Sequence, residues 1–222
     1  MTCFLKQTYK HSVLLIFNNS IEELNLDTRE DYSESGNIIL INNHLNPEGQ
    51  PYTSLGEIYN HAIQFIPKDT KVVSFMDDDD IFLENYVEEG VRGLYMHPDK
   101  LAYKPEHSYF KTHKGVGLAK NVLEPSIFVD YSHLMSTGFF ERNVDLHHKW
   151  LQPLIDEKLI YVDKTGAPTF IYDWSGEIFV WKTSGDPKNP DNFDNYNKWS
   201  VDVGDGIISP VSDGEYKMFT RV

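Results

Sequence analysis

The chain has 222 residues, 40% of them hydrophobic and 14% aromatic, with a formal net charge of −14 and a single cysteine. This composition describes a globular protein able to bury a sizeable core, not a disordered chain. Its acidity disfavours nucleic-acid binding and attraction to anionic membranes, and the lone Cys3 excludes an intrachain disulfide or a cysteine zinc site.

The chain opens with a short amphipathic piece at 3–5. Residues 13–17 (VLLIF) and 37–41 (NIILI) then read as buried strands. A helix is expected over 55–66, because Leu55, Ile58, Tyr59, Ala62, Phe65 and Ile66 share one face. Ser54 and Glu57 stand at capping-box spacing at its start, and Pro67 ends it. Residues 72–76 read as a third buried strand and 83–95 as a second helix. Strands alternating with helices imply an α/β fold with a mainly parallel sheet and crossover connections.

The second half is less regular. A strand is expected at 124–129. A helix is expected over 144–155, where Val144, Trp150, Leu151, Leu154 and Ile155 recur at near-helical spacing around a discordant Pro153. Beyond Trp181 the chain is rich in Asp, Asn, Gly and Pro, with short late strands at 207–208 and 216–219. No apolar run reaches the length of a membrane span, and the N-terminus has no signal-peptide hydrophobic region. The sequence reads as cytoplasmic.

The strongest chemical signal is KVVSFMDDDDIF, in which four consecutive aspartates, Asp77 to Asp80, follow a buried strand. Loops at the carboxyl ends of parallel strands are where α/β sheets place ligands. Adjacent carboxylates repel one another unless a cation offsets them, and hard oxygen donors suit Mg²⁺ or Mn²⁺. A metal-bound phosphate is then the natural partner. A solvated acidic turn is the plainer reading. A calcium loop is excluded, since its alternating acids, glycine and distant glutamate are absent. A haloacid-dehalogenase-like phosphatase would use Asp77 as nucleophile, but its motif belongs on a first strand and here two precede it.

Three stretches carry a resemblance to family 2-type glycosyltransferases of the GT-A fold: CFLKQTYKHSVLLIFNNS, SLGEIYNHAIQF and VVSFMDDDDIFLENYVEEGV, in that order along residues 1–95. EPSIFVDYSHLMSTGFF and DLHHKWLQPLIDEKL resemble the family's acceptor-side strand and the helix beyond it more loosely. The resemblance implies a GT-A-like, Rossmann-like mixed sheet, mainly parallel and flanked by helices. It implies a domain over 1–180, with a nucleotide-sugar half at 1–100 and an acceptor half at 101–180. Residues 181–222 are expected as an irregular extension packed on that domain. The chain begins inside the helix that follows the family's first strand. Either the chain is a truncated or mis-started product, or the late stretch 207–219 or a second subunit completes the sheet, or the fold is adapted to this start.

The activity implied is metal-dependent transfer of a sugar, with inversion, from a UDP-linked donor to a glycan or lipid-linked acceptor hydroxyl in surface glycan synthesis. Asp77, Asp79 and Asp80 are the implied ligands of Mn²⁺ or Mg²⁺, with Asp77 and Asp78 also beside the donor. Asn18 and Asn19 stand where the family has a uridine-contacting acid. Asn60 is kept, although Tyr59 replaces the basic residue that usually precedes it. Asp145 is the implied general base, or else the cap of the helix that follows; Glu141 is a second choice. His147 or His148 reads either as facing the site or as a core or surface residue. Trp150, Tyr172 and Trp174 are candidates for stacking on sugars or for the core, and Glu106 and His107 for meeting the acceptor. The alternatives are a truncated, non-catalytic relative that binds a partner chain, and the phosphatase.

Overall fold

The computed structural model describes residues 1–26, 37–112, 115–120, 126–143 and 145–173. The extension at 181–222, its late strands, Trp174 and the start of the strand expected at 124–129 lie outside the described residues. The elements run α1 (Thr2–Leu5), β1 (Leu14–Asn18), β2 (Ile38–Asn42), α2 (Leu55–Ala62), β3 (Val72–Val73), β4 (Ile81–Phe82), α3 (Tyr86–Tyr95), β5 (Ala102–Pro105), β6 (His107–Thr112), β7 (Gly115–Lys120), β8 (Phe128–Asp130), α4 (Tyr131–Thr137), α5 (His148–Asp156), β9 (Ile160–Asp163) and β10 (Phe170–Asp173). The fold is mixed α/β, with small sheets flanked by helices. Among the described residues, no helix is long and apolar enough to cross a membrane.

The chain forms two compact units. One comprises Tyr9–Val73 and Val129–Ile160. In it β1 and β2 pair in parallel, from Leu14 opposite Ile38 to Asn18 opposite Asn42. These are the two apolar runs expected as strands, each displaced by one residue toward its polar end. Helix α2 starts where the capping signal lies: Ser54 Oγ accepts the Glu57 N–H at 3.2 Å. It ends at Ala62 and tightens into a 3₁₀ turn over Ile63–Phe65. β3 and β8 pair antiparallel. Asp130 caps α4 by accepting the His133 N–H at 2.9 Å. The core gathers Leu134, Phe139, Leu146, Trp150, Leu151 and Leu154, all buried. Trp150 thus belongs to the core and is not open to a sugar. Helix α5 begins at His148, later than the apolar periodicity implies. Asp145 has φ +51, a left-handed conformation that cannot lie within a right-handed helix.

The other unit comprises Met1–Thr8, Ser74–Phe128 and Tyr161–Val222. Its sheet has the order β4-β10-β6-β7: β10 is antiparallel to β4 and parallel to β6, and β6 and β7 are antiparallel. Two expected elements are altered here by tertiary partners. The strand expected over 72–76 stops at Val73, and the backbone beyond it meets Tyr86, whose hydroxyl donates to the Phe75 carbonyl at 3.2 Å and bonds the Ser74 hydroxyl. The helix expected from residue 83 starts at Tyr86, because Ile81 and Phe82 pair with β10 and the Leu83 N–H donates to the Thr169 carbonyl at 2.9 Å. Gln7, 1% exposed, ties the short α1 to this region. Its Nε2 donates to the Cys3 and Leu83 carbonyls and its Oε1 accepts the Val87 N–H. Phe82, Tyr86, Tyr103, Phe128, Phe170, Ile171 and Tyr172 fill the core. Tyr172 is therefore also a core residue, 8% exposed.

Candidate functional site

The four aspartates form a turn. The Asp80 N–H points at the Asp77 carbonyl, 3.4 Å away, closing a four-residue loop between the chain leaving Ser74 and strand β4. Within it Asp78 is exposed, Asp77 half-buried, and Asp79 and Asp80 only 8% and 7% exposed. One carboxylate oxygen from each of Asp77, Asp79 and Asp80 lies within 4.8 Å of the others. The neighbouring strand fixes the last of them, since Asp80 Oδ1 accepts the Asp173 N–H at 2.9 Å. Burial also pushes the Tyr86 phenol up, with the Asp77 charge adding to the effect, so the hydroxyl beneath the turn stays protonated.

This donor set fits a hard divalent cation. All three ligand atoms are carboxylate oxygens, two of them from buried side chains, and three like charges at this separation repel strongly without a counter-charge. The cluster could hold a metal ion, and its three residues are the ligands that the family resemblance implies, a choice the run of four does not make by itself.

Most of the other candidates lie in the unit containing the parallel pair. Asn18 is committed to its own turn: Oδ1 accepts the Ser20 N–H, and Nδ2 donates to the Glu22 carbonyl and to Asn42 Oδ1. Asn60 is committed to Phe139, whose N–H and carbonyl it bonds at 2.8 and 3.1 Å. Asn19 instead lines an open cleft of about 430 Å³ with His44, Tyr52, Thr53, Leu55 and Asn143 among others. Sequence reasoning missed His44 and Asn143. The available signal for His44 was its place just past the carboxyl end of a parallel strand; Asn143 carries no local signal.

Asp145 is exposed on the loop before α5. Its carbonyl accepts the Arg142 guanidinium at 2.9 Å and the His148 N–H at 3.2 Å. His147, not Asp145, occupies the N-cap, and no side chain caps the helix. His147 packs edge-on to Tyr59, Phe139 and Trp150. Burial, with a smaller contribution from His148, lowers its pKa to about 4, so it is neutral at pH 7. Glu141 and His148 are exposed. In the other unit the Glu106 N–H donates to the Asp163 carbonyl, and His107 approaches the Glu106 carboxylate at 3.9 Å. No model of a protein family matches the chain, and no curated protein does.

Proposed function

We propose that the chain is a metal-dependent glycosyltransferase on a GT-A-like scaffold, moving a sugar from a nucleoside-diphosphate donor to an acceptor hydroxyl. The observation that carries the reading is the convergence of the Asp77, Asp79 and Asp80 carboxylates in a turn that follows a strand. Their oxygens would hold Mn²⁺ or Mg²⁺. Such an ion supplies the positive charge that a departing diphosphate needs. In this reading Asp145 takes the proton of the acceptor hydroxyl. It is an exposed carboxylate on a left-handed backbone held through its carbonyl by Arg142, and uncommon backbone conformations cluster at functional sites.

The test is calorimetric titration of UDP into the full chain with and without Mn²⁺, repeated on Asp79→Ala after its fold is checked by circular dichroism. Binding that needs Mn²⁺ and disappears in the variant is the expected result. No heat in either condition overturns the reading. That outcome would favour a non-catalytic relative, for which one observation already speaks: the amides of Asn18 and Asn60, two of the expected donor contacts, are engaged by the protein itself.

A further inference from the structure

The geometry points to the cleft beside β1, β2 and α2 as a binding site for a neutral, hydroxyl-rich ligand: a mono- or disaccharide. Its volume of about 430 Å³ lies within the ~300–1,000 Å³ usual for small-ligand clefts. Among the described residues, hydrogen bonds engage neither side chain of Asn19 and His44, and the Nδ2 of Asn143 is likewise unengaged. Two carboxamides and an imidazole thus line one cleft with donors and acceptors to offer, together with Thr53, whose hydroxyl donates to Glu57 Oε2 at 2.9 Å and keeps its acceptor lone pairs. Pro51, Leu55 and Ile58 supply an apolar surface for the C–H face of a sugar ring. The Tyr52 hydroxyl is held by His61 Nδ1 at 2.6 Å, which fixes that wall.

The same residues favour a neutral ligand over an anion. Among the described residues, no lysine or arginine lines the cleft. The start of α2 offers no open amide either. The Leu55 N–H donates to Asn143 Oδ1 at 2.8 Å, Gly56 to the Arg142 carbonyl at 3.1 Å, Glu57 to Ser54 Oγ at 3.2 Å and Ile58 to the Ser54 carbonyl at 3.3 Å. The helix N-terminus, ordinarily the place for a phosphate, is closed by the protein itself. A nucleotide would bring its phosphates to a wall with nothing to receive them. Naming the saccharide as the acceptor rests on the transfer reading above; its binding to the cleft does not.

The experiment follows side-chain amide signals of the ¹⁵N-labelled full chain, free of metal, on titration with lactose, cellobiose and N-acetylglucosamine, and separately with UDP. The expected result is a shift of the Asn19 and Asn143 amides by at least one saccharide, with a dissociation constant of about 1–10 mM. Asn19→Ala, a change at an exposed position, should weaken that binding about fivefold or more, roughly the loss of one good hydrogen bond. Asn143→Asp keeps the acceptor for the Leu55 N–H and removes the donor, so it separates ligand binding from folding. Unmoved amides at about 50 mM of every saccharide, well above the expected constant, overturn the inference. So does a shift by UDP with none by a saccharide. Because neither metal nor nucleotide is present in the saccharide arms, failure here leaves the aspartate reading standing. Failure of the UDP calorimetry removes only the word acceptor.

Discussion

The carboxamide of Asn60 grips both main-chain polar groups of Phe139, accepting its N–H at 2.8 Å and donating to its carbonyl at 3.1 Å. Phe139 is fully buried, so these groups have little access to water. Lys149 Nζ reaches the same carbonyl at 3.3 Å. Asn60→Leu keeps the volume and removes both bonds, and should cost about 1–3 kcal/mol, since two hydrogen bonds to a buried main chain are lost while the carbonyl keeps Lys149. Urea denaturation of the variant and the parent measures it.

The grip also limits the residue before Phe139. Gly138 has φ +64, and a Cβ there would lie 2.8 Å from Asn60 Oδ1. Gly138→Ala should therefore lose more stability in the parent than in an Asn60→Ala background, where only the backbone cost remains, about 1–3 kcal/mol for a non-glycine residue at φ +64, ψ −156, a region essentially reserved for glycine. A double-mutant cycle reads the difference. Equal costs in both backgrounds would show that the amide does not confine this position.

Metal binding should appear in stability as well as in heat. An ion that binds only the folded chain stabilises it by about 2.7 kcal/mol at a hundredfold excess over its dissociation constant. Mn²⁺ should raise the melting temperature of the parent and leave that of Asp79→Asn nearly unchanged. Asp78→Asn, at the exposed position of the turn, should respond like the parent. An equal response from all three chains would place the ion elsewhere.

His147 should make folding sensitive to acid. Its pKa is about 4 when folded against an ordinary value of 6.5, so between these values the unfolded chain binds more protons. Its contribution is fully present above pH 6.5 and is lost as the pH falls through the window toward 4, up to about 3 kcal/mol. His147→Phe should flatten the stability profile between pH 6.5 and 4.5, as determined by urea denaturation at each pH. An unchanged slope would assign the acid sensitivity to other groups.

Helix α3 approaches its neighbour at glycine. A Cβ on Gly90 would lie 2.2 Å from the Phe128 ring, too close without displacement of a buried side chain. Alanine's better helix propensity offers about 1 kcal/mol, while overpacking costs about 1–3 kcal/mol. Gly90→Ala should be destabilising on balance, and less so when combined with Phe128→Leu. Thermal melts of the three variants decide it.

Features set by neighbouring residues were legible in the sequence alone. The apolar runs before Asn18 and Asn42 marked the parallel pair, Ser54 and Glu57 marked the start of α2, and the aspartates after Val73 marked the acidic turn, because strand burial, capping and like-charge crowding act over a few residues. Features requiring a partner far along the chain were decided by the tertiary structure. The aspartate run does not say which three side chains converge; the turn and the Asp173 N–H do. Asn18, Asn19 and Asn60 are the same residue type. What each amide meets is set by packing: Ser20, Glu22 and Asn42 engage the first, Phe139 engages the third, and the second is left facing a cleft. A carboxamide can satisfy a backbone or a ligand equally well, and long-range geometry determines which it meets.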